Sequence, residues 1–83
     1  MARDARAVIR GFVLGTLAAA RGVEGVADDE SLVERGVLDS LGIFELVAFL
    51  EERFGVRVPD EDITPENFRT IEDIGRLVTE RER

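Results

Sequence analysis

Few side chains in this sequence could do chemistry, because it holds no Cys, His, Lys or Tyr and leaves only carboxylates, arginines and a few hydroxyls. A hydroxyl becomes a nucleophile when a neighbouring base takes its proton, and none of the usual bases is present. The acids Glu51-Glu52 and Asp60-Glu61-Asp62 stand in strongly charged, solvated stretches, without the burial that tunes a carboxylate for acid–base work. Catalysis is therefore not expected, and without Cys or His the usual zinc ligand sets are absent too. What remains is a side chain that another enzyme acts upon. Ser40, in Gly36-Val37-Leu38-Asp39-Ser40-Leu41, is the candidate: it ends a long loop and heads an apolar helix. An exposed loop admits a foreign active site, and a helix N-terminus stabilises an attached phosphate. The plainer alternative is that Asp39 or Ser40 only caps the helix.

The elements that must position Ser40 follow from periodicity. The helix over Leu41–Phe54 carries Ile43, Leu46, Val47, Leu50 and Phe54 at the steps that keep one face toward a core. A second stripe of Leu41, Phe44, Glu45, Ala48 and Glu52 mixes apolar and acidic residues, as suits a surface that meets other proteins. Upstream, Asp4 can cap a helix to about Ala20, with Ala5, Val8, Ile9, Phe12, Val13, Leu17 and Ala20 on one side and Arg3, Arg6 and Arg10 on another. Gly11 and Gly15 lie inside that helix, and close packing within the domain is the expected reason for them. From Gly22 to Leu38 a loop is expected, pinned by Val26, Leu32, Val33 and Leu38. It includes one turn capped by the Ser31-x-x-Glu34 pattern and a solvated run Asp28–Glu30.

Gly55 should end the Ser40 helix by taking the left-handed conformation. Val56-Arg57-Val58 alternates like a strand but is cut short by Pro59 and has nothing to pair with, so it is expected to be loop. Thr64-Pro65-Glu66 starts a short helix through about Phe68. Thr70-Ile71-Glu72-Asp73 opens the last one, with Ile71, Ile74, Leu77 and Val78 inward and Arg81 and Arg83 near its negative end. The expected fold is all-α: a single small domain over residues 1–83, with three main helices, one short helix and a long loop between the first two. With 18 acidic and 11 basic residues the net charge is −7, which disfavours nucleic acid and favours partners with basic docking surfaces. No apolar run approaches the ~20 residues of a membrane span and no signal-peptide run opens the chain, so a cytoplasmic monomer is expected.

Asp39-Ser40-Leu41, preceded by Gly36 and followed by Glu45-Leu46, Leu50-Glu51-Glu52 and Phe54-Gly55, resembles the phosphopantetheine attachment region of acyl and peptidyl carrier proteins. The resemblance runs on through Val58-Pro59-Asp60 and the last two helices to Ile74, while the first helix matches only in length and amphipathic character. It implies a four-helix carrier fold with a long first loop, in agreement with the elements above. It also implies that a phosphopantetheinyl transferase, drawing on coenzyme A and its own magnesium, esterifies Ser40 with 4'-phosphopantetheine. The arm's thiol would then hold an acyl or aminoacyl unit as a thioester, loaded by one enzyme and passed to a downstream synthase or transferase. On the same resemblance, Asp39 caps the helix and is read by the transferase. Leu41, Phe44, Glu45, Ala48, Glu51, Glu52 and Ile63 form the partner-recognition surface.

Gly42 stands where fatty-acid-synthesis carriers usually have an acid, Phe44 replaces a smaller aliphatic, and Arg53 and Arg57 interrupt a normally acid-rich stretch. These departures argue against that role. The segment Ile63–Ile71 looks like that of stand-alone carriers of one small group, such as D-alanyl, other aminoacyl and glycerate-derived polyketide extender units. The expectation is a discrete carrier of specialised biosynthesis, of polyketide or nonribosomal type, with a D-alanyl or aminoacyl carrier as the alternative. The rival from another class is an acidic helical adaptor that binds a basic partner and carries no prosthetic group.

Overall fold

The structure, a computed structural model, describes residues 2–82, with side chains from Ala5 onward. Helix α1 spans Ala2–Phe12 and continues as a π-helical segment, Val13–Ala18, into one further helical stretch that ends at Ala20. Helix α2 spans Ser40–Phe54, α3 is the single turn Pro65–Phe68, and α4 spans Ile71–Arg81. A 3₁₀ turn, Asp60–Asp62, lies between α2 and α3, and no strand occurs among the described residues. The all-α arrangement and the long first loop are as the sequence leads one to expect.

The helix ends follow local rules. Gly22 (φ 74°) terminates the first helix in a Schellman arrangement, in which the Val23 and Gly22 N–H groups donate to Ala18 O (2.9 Å) and Ala19 O (3.3 Å). Gly55 (φ 67°) ends α2, its N–H donating to Glu51 O. Thr64 and Thr70 cap α3 and α4, their hydroxyls accepting from Asn67 N–H and Asp73 N–H. At the other end α1 begins before Asp4, so Asp4 is not its cap; the side chains of Arg3 and Asp4, and residue Arg83, lie outside the described residues.

Ile9, Val13, Leu17, Leu32, Leu46, Leu50, Ile71, Ile74 and Val78 are inaccessible to solvent and form one core, with α4 packed along α1. The burial pattern corrects several expectations. Ala20 is exposed and Ala18 buried, because a π turn takes in an extra residue and so keeps Ile9, Val13 and Leu17 in line at strict four-residue spacing. Gly11 and Gly15 face open space rather than a packed neighbour. In the loop, Val37 and not Val33 is the anchor: Val37 is fully buried and Val33 is 61% exposed.

The loop is also tied down by polar groups. Ser31 Oγ accepts from Glu34 N–H (3.2 Å), the expected capped turn, while Leu32 N–H donates to Arg69 O (2.9 Å). Asp28, expected to be merely solvated, accepts from Arg10 Nη1 (2.7 Å) and takes Glu72 N–H on its carbonyl, stitching the loop to both α1 and α4. Asp62 is likewise largely covered, paired with Arg81 across the bundle.

Candidate functional site

Ser40 is the first residue of α2 and is exposed; among the described residues its hydroxyl has no hydrogen-bond partner. Asp39, one residue earlier, has the extended backbone of an N-cap (φ −132°, ψ −173°), and its Oδ1 accepts from Gly42 N–H at 2.8 Å. The cap is therefore Asp39, which leaves the Ser40 hydroxyl free. It stands at the positive end of a fifteen-residue helix, where an attached anion is stabilised.

Sequence reasoning missed the residue that holds this cap. Arg21, at the end of the first helix, reaches across 18 residues of chain and grips Asp39 with a fork, Nη2 to Oδ1 at 2.9 Å and Nε to Oδ2 at 3.2 Å. Its remaining arm, Nη1, donates to Leu17 O at 3.0 Å. The Arg21 hydrogen bonds, joined by the Gly42 N–H, hold the Asp39 carboxyl below the usual carboxylate range, and the same pairing raises the Arg21 guanidinium. Gly42 belongs to the same arrangement. A Cβ there would lie 3.1 Å from Arg21 Nη2 and 3.2 Å from Asp39 Oδ1, so a side chain at that position would crowd the ion pair and oblige it to shift by a few tenths of an ångström.

The stripe Leu41, Phe44, Glu45, Ala48 and Glu52 is exposed along α2, and its large apolar members Leu41 and Phe44 are 64% and 73% exposed. Two other residues expected on that surface are only partly exposed. Glu51 is half-buried, and its carboxylate accepts from Val58 N–H (2.9 Å), fixing the loop after α2. Ile63 is half-buried against the core, in the wall of an apolar groove of about 450 Å³ that Val33, Leu38, Ile43 and Phe68 also line. Leu38 and Ile43 bracket Ser40 in sequence, so this groove opens beside the head of α2. Among the described residues no group of acids could hold a metal ion, and no helix is long and apolar enough to cross a membrane.

A family profile described as phosphopantetheine attachment site matches residues 12–78. The chain belongs to the phosphopantetheine-binding carrier proteins. Its family implies a covalently attached 4'-phosphopantetheine, and the exposed, unbonded hydroxyl at a helix N-terminus fits such a group. Among curated relatives of this carrier, the D-alanyl carrier protein of Streptococcus sanguinis is 43% identical over 60 residues, which cover 70% of this chain and 76% of that protein. Among solved structures, a Bradyrhizobium japonicum glycine:[carrier protein] ligase complexed with glycylated carrier protein matches at TM-score 0.72 and 32% identity, over 87% of this chain and 96% of that one. An acyl carrier protein of Thermotoga maritima matches at TM-score 0.67 and 25% identity, over 93% and 89% of the two chains. Family membership decides against the adaptor alternative.

Proposed function

We propose that Ser40 is the attachment residue and that this carrier bears a small aminoacyl unit. The observation that carries the assignment is an exposed serine hydroxyl heading α2, free because the residue before it has taken the cap, within the span matched to the attachment-site family. In the attachment step the Ser40 oxygen bonds to the phosphorus that bears pantetheine. The bond from that phosphorus to adenosine 3',5'-bisphosphate breaks, and the hydroxyl proton passes to the transferase. Once bound, the arm supplies the thiol that this Cys-free chain lacks, on which cargo is held as a thioester. A phosphopantetheinyl transferase and a loading ligase are the partners this requires, with a downstream acceptor enzyme after them. Leu41, Phe44, Glu45, Ala48 and Glu52 are the residues they meet.

Likeness to a D-alanyl carrier and to a structure of a glycine:[carrier protein] ligase complexed with glycylated carrier protein supports an aminoacyl cargo over a fatty acyl one. It favours that alternative over the polyketide or nonribosomal context. The test is intact-mass measurement after incubation with coenzyme A and a broad-specificity transferase, followed by loading with a panel of adenylating ligases with ATP and of acyltransferases with acyl-coenzyme A donors. One phosphopantetheine should appear on the parent chain and none on Ser40→Ala, and glycine or alanine should load. Addition that survives Ser40→Ala contradicts the site, and loading only by acyltransferases with longer acyl groups contradicts the cargo.

A further inference from the structure

We propose that Arg21 is a positioning residue for attachment of the arm, acting on Ser40 through Asp39; this rests on the assignment of Ser40 above. Arg21 makes no hydrogen bond to Ser40 and so does not enter the chemistry itself. The Arg21 side chain is only 17% exposed and its guanidinium is held from behind by Leu17 O, so it is seated on its own side of the fork even though the Asp39 side chain is 61% exposed. From there it holds both oxygens of Asp39, one of which also receives Gly42 N–H. Asp39, the N-cap just before Ser40, is thus fastened to a group at the end of the first helix, and Gly42, in the first turn of α2, is fastened to Asp39.

Gly42 is the matching half of the device. With a hydrogen at position 42 the guanidinium can lie over the turn; a methyl there would sit 3.1 Å from Nη2. The direction in which the serine hydroxyl leaves the helix is therefore set by a residue 19 positions earlier in the chain. Phosphoryl transfer is sensitive to such aiming, since a reacting oxygen held in line with phosphorus spares the enzyme the entropy of arranging it. Leu41 lies within the same turn and the charge of Glu45 reaches Arg21, but no side chain of the exposed docking stripe hydrogen-bonds to Arg21 or Asp39, and Phe44, Glu45, Ala48 and Glu52 lie further along α2.

The consequence is a split in kinetics that a purely structural ion pair would not cause. Steady-state phosphopantetheinylation is measured for the parent chain, Arg21→Gln, Arg21→Lys and Gly42→Ala, each well below its own melting temperature. We expect kcat to fall about tenfold in Arg21→Gln and in Gly42→Ala with KM changed by no more than about twofold. Arg21→Lys should fall between, keeping the charge and losing the fork. Gly42→Ala retains the guanidinium and crowds both its seat and the Asp39 carboxylate, so together with Arg21→Lys, which leaves Gly42 untouched, it carries the test if Arg21→Gln does not fold. An unchanged kcat in folded Gly42→Ala and Arg21→Gln overturns the proposal, as does a raised KM with kcat unchanged, which would make Arg21 a docking residue. If the parent chain itself accepts no arm, or Ser40→Ala accepts one, it is the assignment of Ser40 that fails.

Discussion

Asp39 does two things with one carboxylate: it caps α2, and it binds the first helix to the second through Arg21. Both bonds favour the ionised form, so its folded pKa lies below the unfolded one. The stabilisation is then complete above the unfolded carboxylate value of about 4 and disappears as the pH falls through the lower folded value. Melting temperature should decline on acidification more steeply in the parent chain than in Asp39→Asn, and parallel curves would contradict the pairing. Glu30 adds a second contribution of the same sign, because the Ala27 N–H and then Arg35 hold its carboxyl low, and this one survives in the variant. The Asp39 cap was legible in the sequence because a cap is written in adjacent residues. Arg21 was not, since an ion pair across 18 residues leaves no periodic trace. Gly42, which read only as a departure from related carriers, gains its reason from that unseen partner.

At the scale of the element, the sequence spoke clearly wherever caps and stripes coincide. Thr64 and Thr70 begin α3 and α4 where expected, and the inward apolar residues of α4 are those the spacing picks out; on α2 Leu46 and Leu50 are buried, Ile43, Val47 and Phe54 only partly, and Phe49, outside the expected stripe, also packs against the core. The π-helical segment was illegible, because residue types do not distinguish a π turn from an α turn. Two predictions belong here. Leu50 is fully buried in the middle of α2, so Leu50→Ala should cost about 2–5 kcal/mol by leaving a cavity, a large share of the stability of so small a domain. A denaturant midpoint equal to the parent's would refute its place in the core. Gly11→Ala should do the reverse. The residue is exposed, helical and without a neighbour near its absent Cβ, so the alanine should add about 0.5–1 kcal/mol by restricting the unfolded chain. A lowered melting temperature would mean that this face has an unseen packing role.

At the scale of the whole molecule, acid outweighs base, yet many of the arginines are spent internally. Arg6 and Arg10 meet Asp28, Arg21 meets Asp39, Arg35 meets Glu30 and Arg81 meets Asp62. The surplus negative charge is left for outside partners, and on α2 it is interleaved with Leu41 and Phe44. Glu45→Arg combined with Glu52→Arg should leave melting within a few degrees of the parent and weaken association with a basic partner. The loss should be greatest in low salt, where such attraction is least screened. Equal affinity for the transferase at low ionic strength would remove the electrostatic role. Glu51 does not belong in that experiment, because its reversal would break the bond to Val58 N–H and confound fold with docking.

The long stretch between the first two helices looks like a hinge in a diagram of helices, yet it is riveted at both ends and in the middle, by Arg21 to Asp39, by Arg10 to Asp28, and by main-chain bonds to Arg69 and Glu72. Its amides at Leu32 and Val37 should exchange with deuterium at helix-like rates. A scaffold so fastened would offer each visiting enzyme the same mooring point. The span between two successive active sites would then be bridged by the reach of the flexible appendage alone.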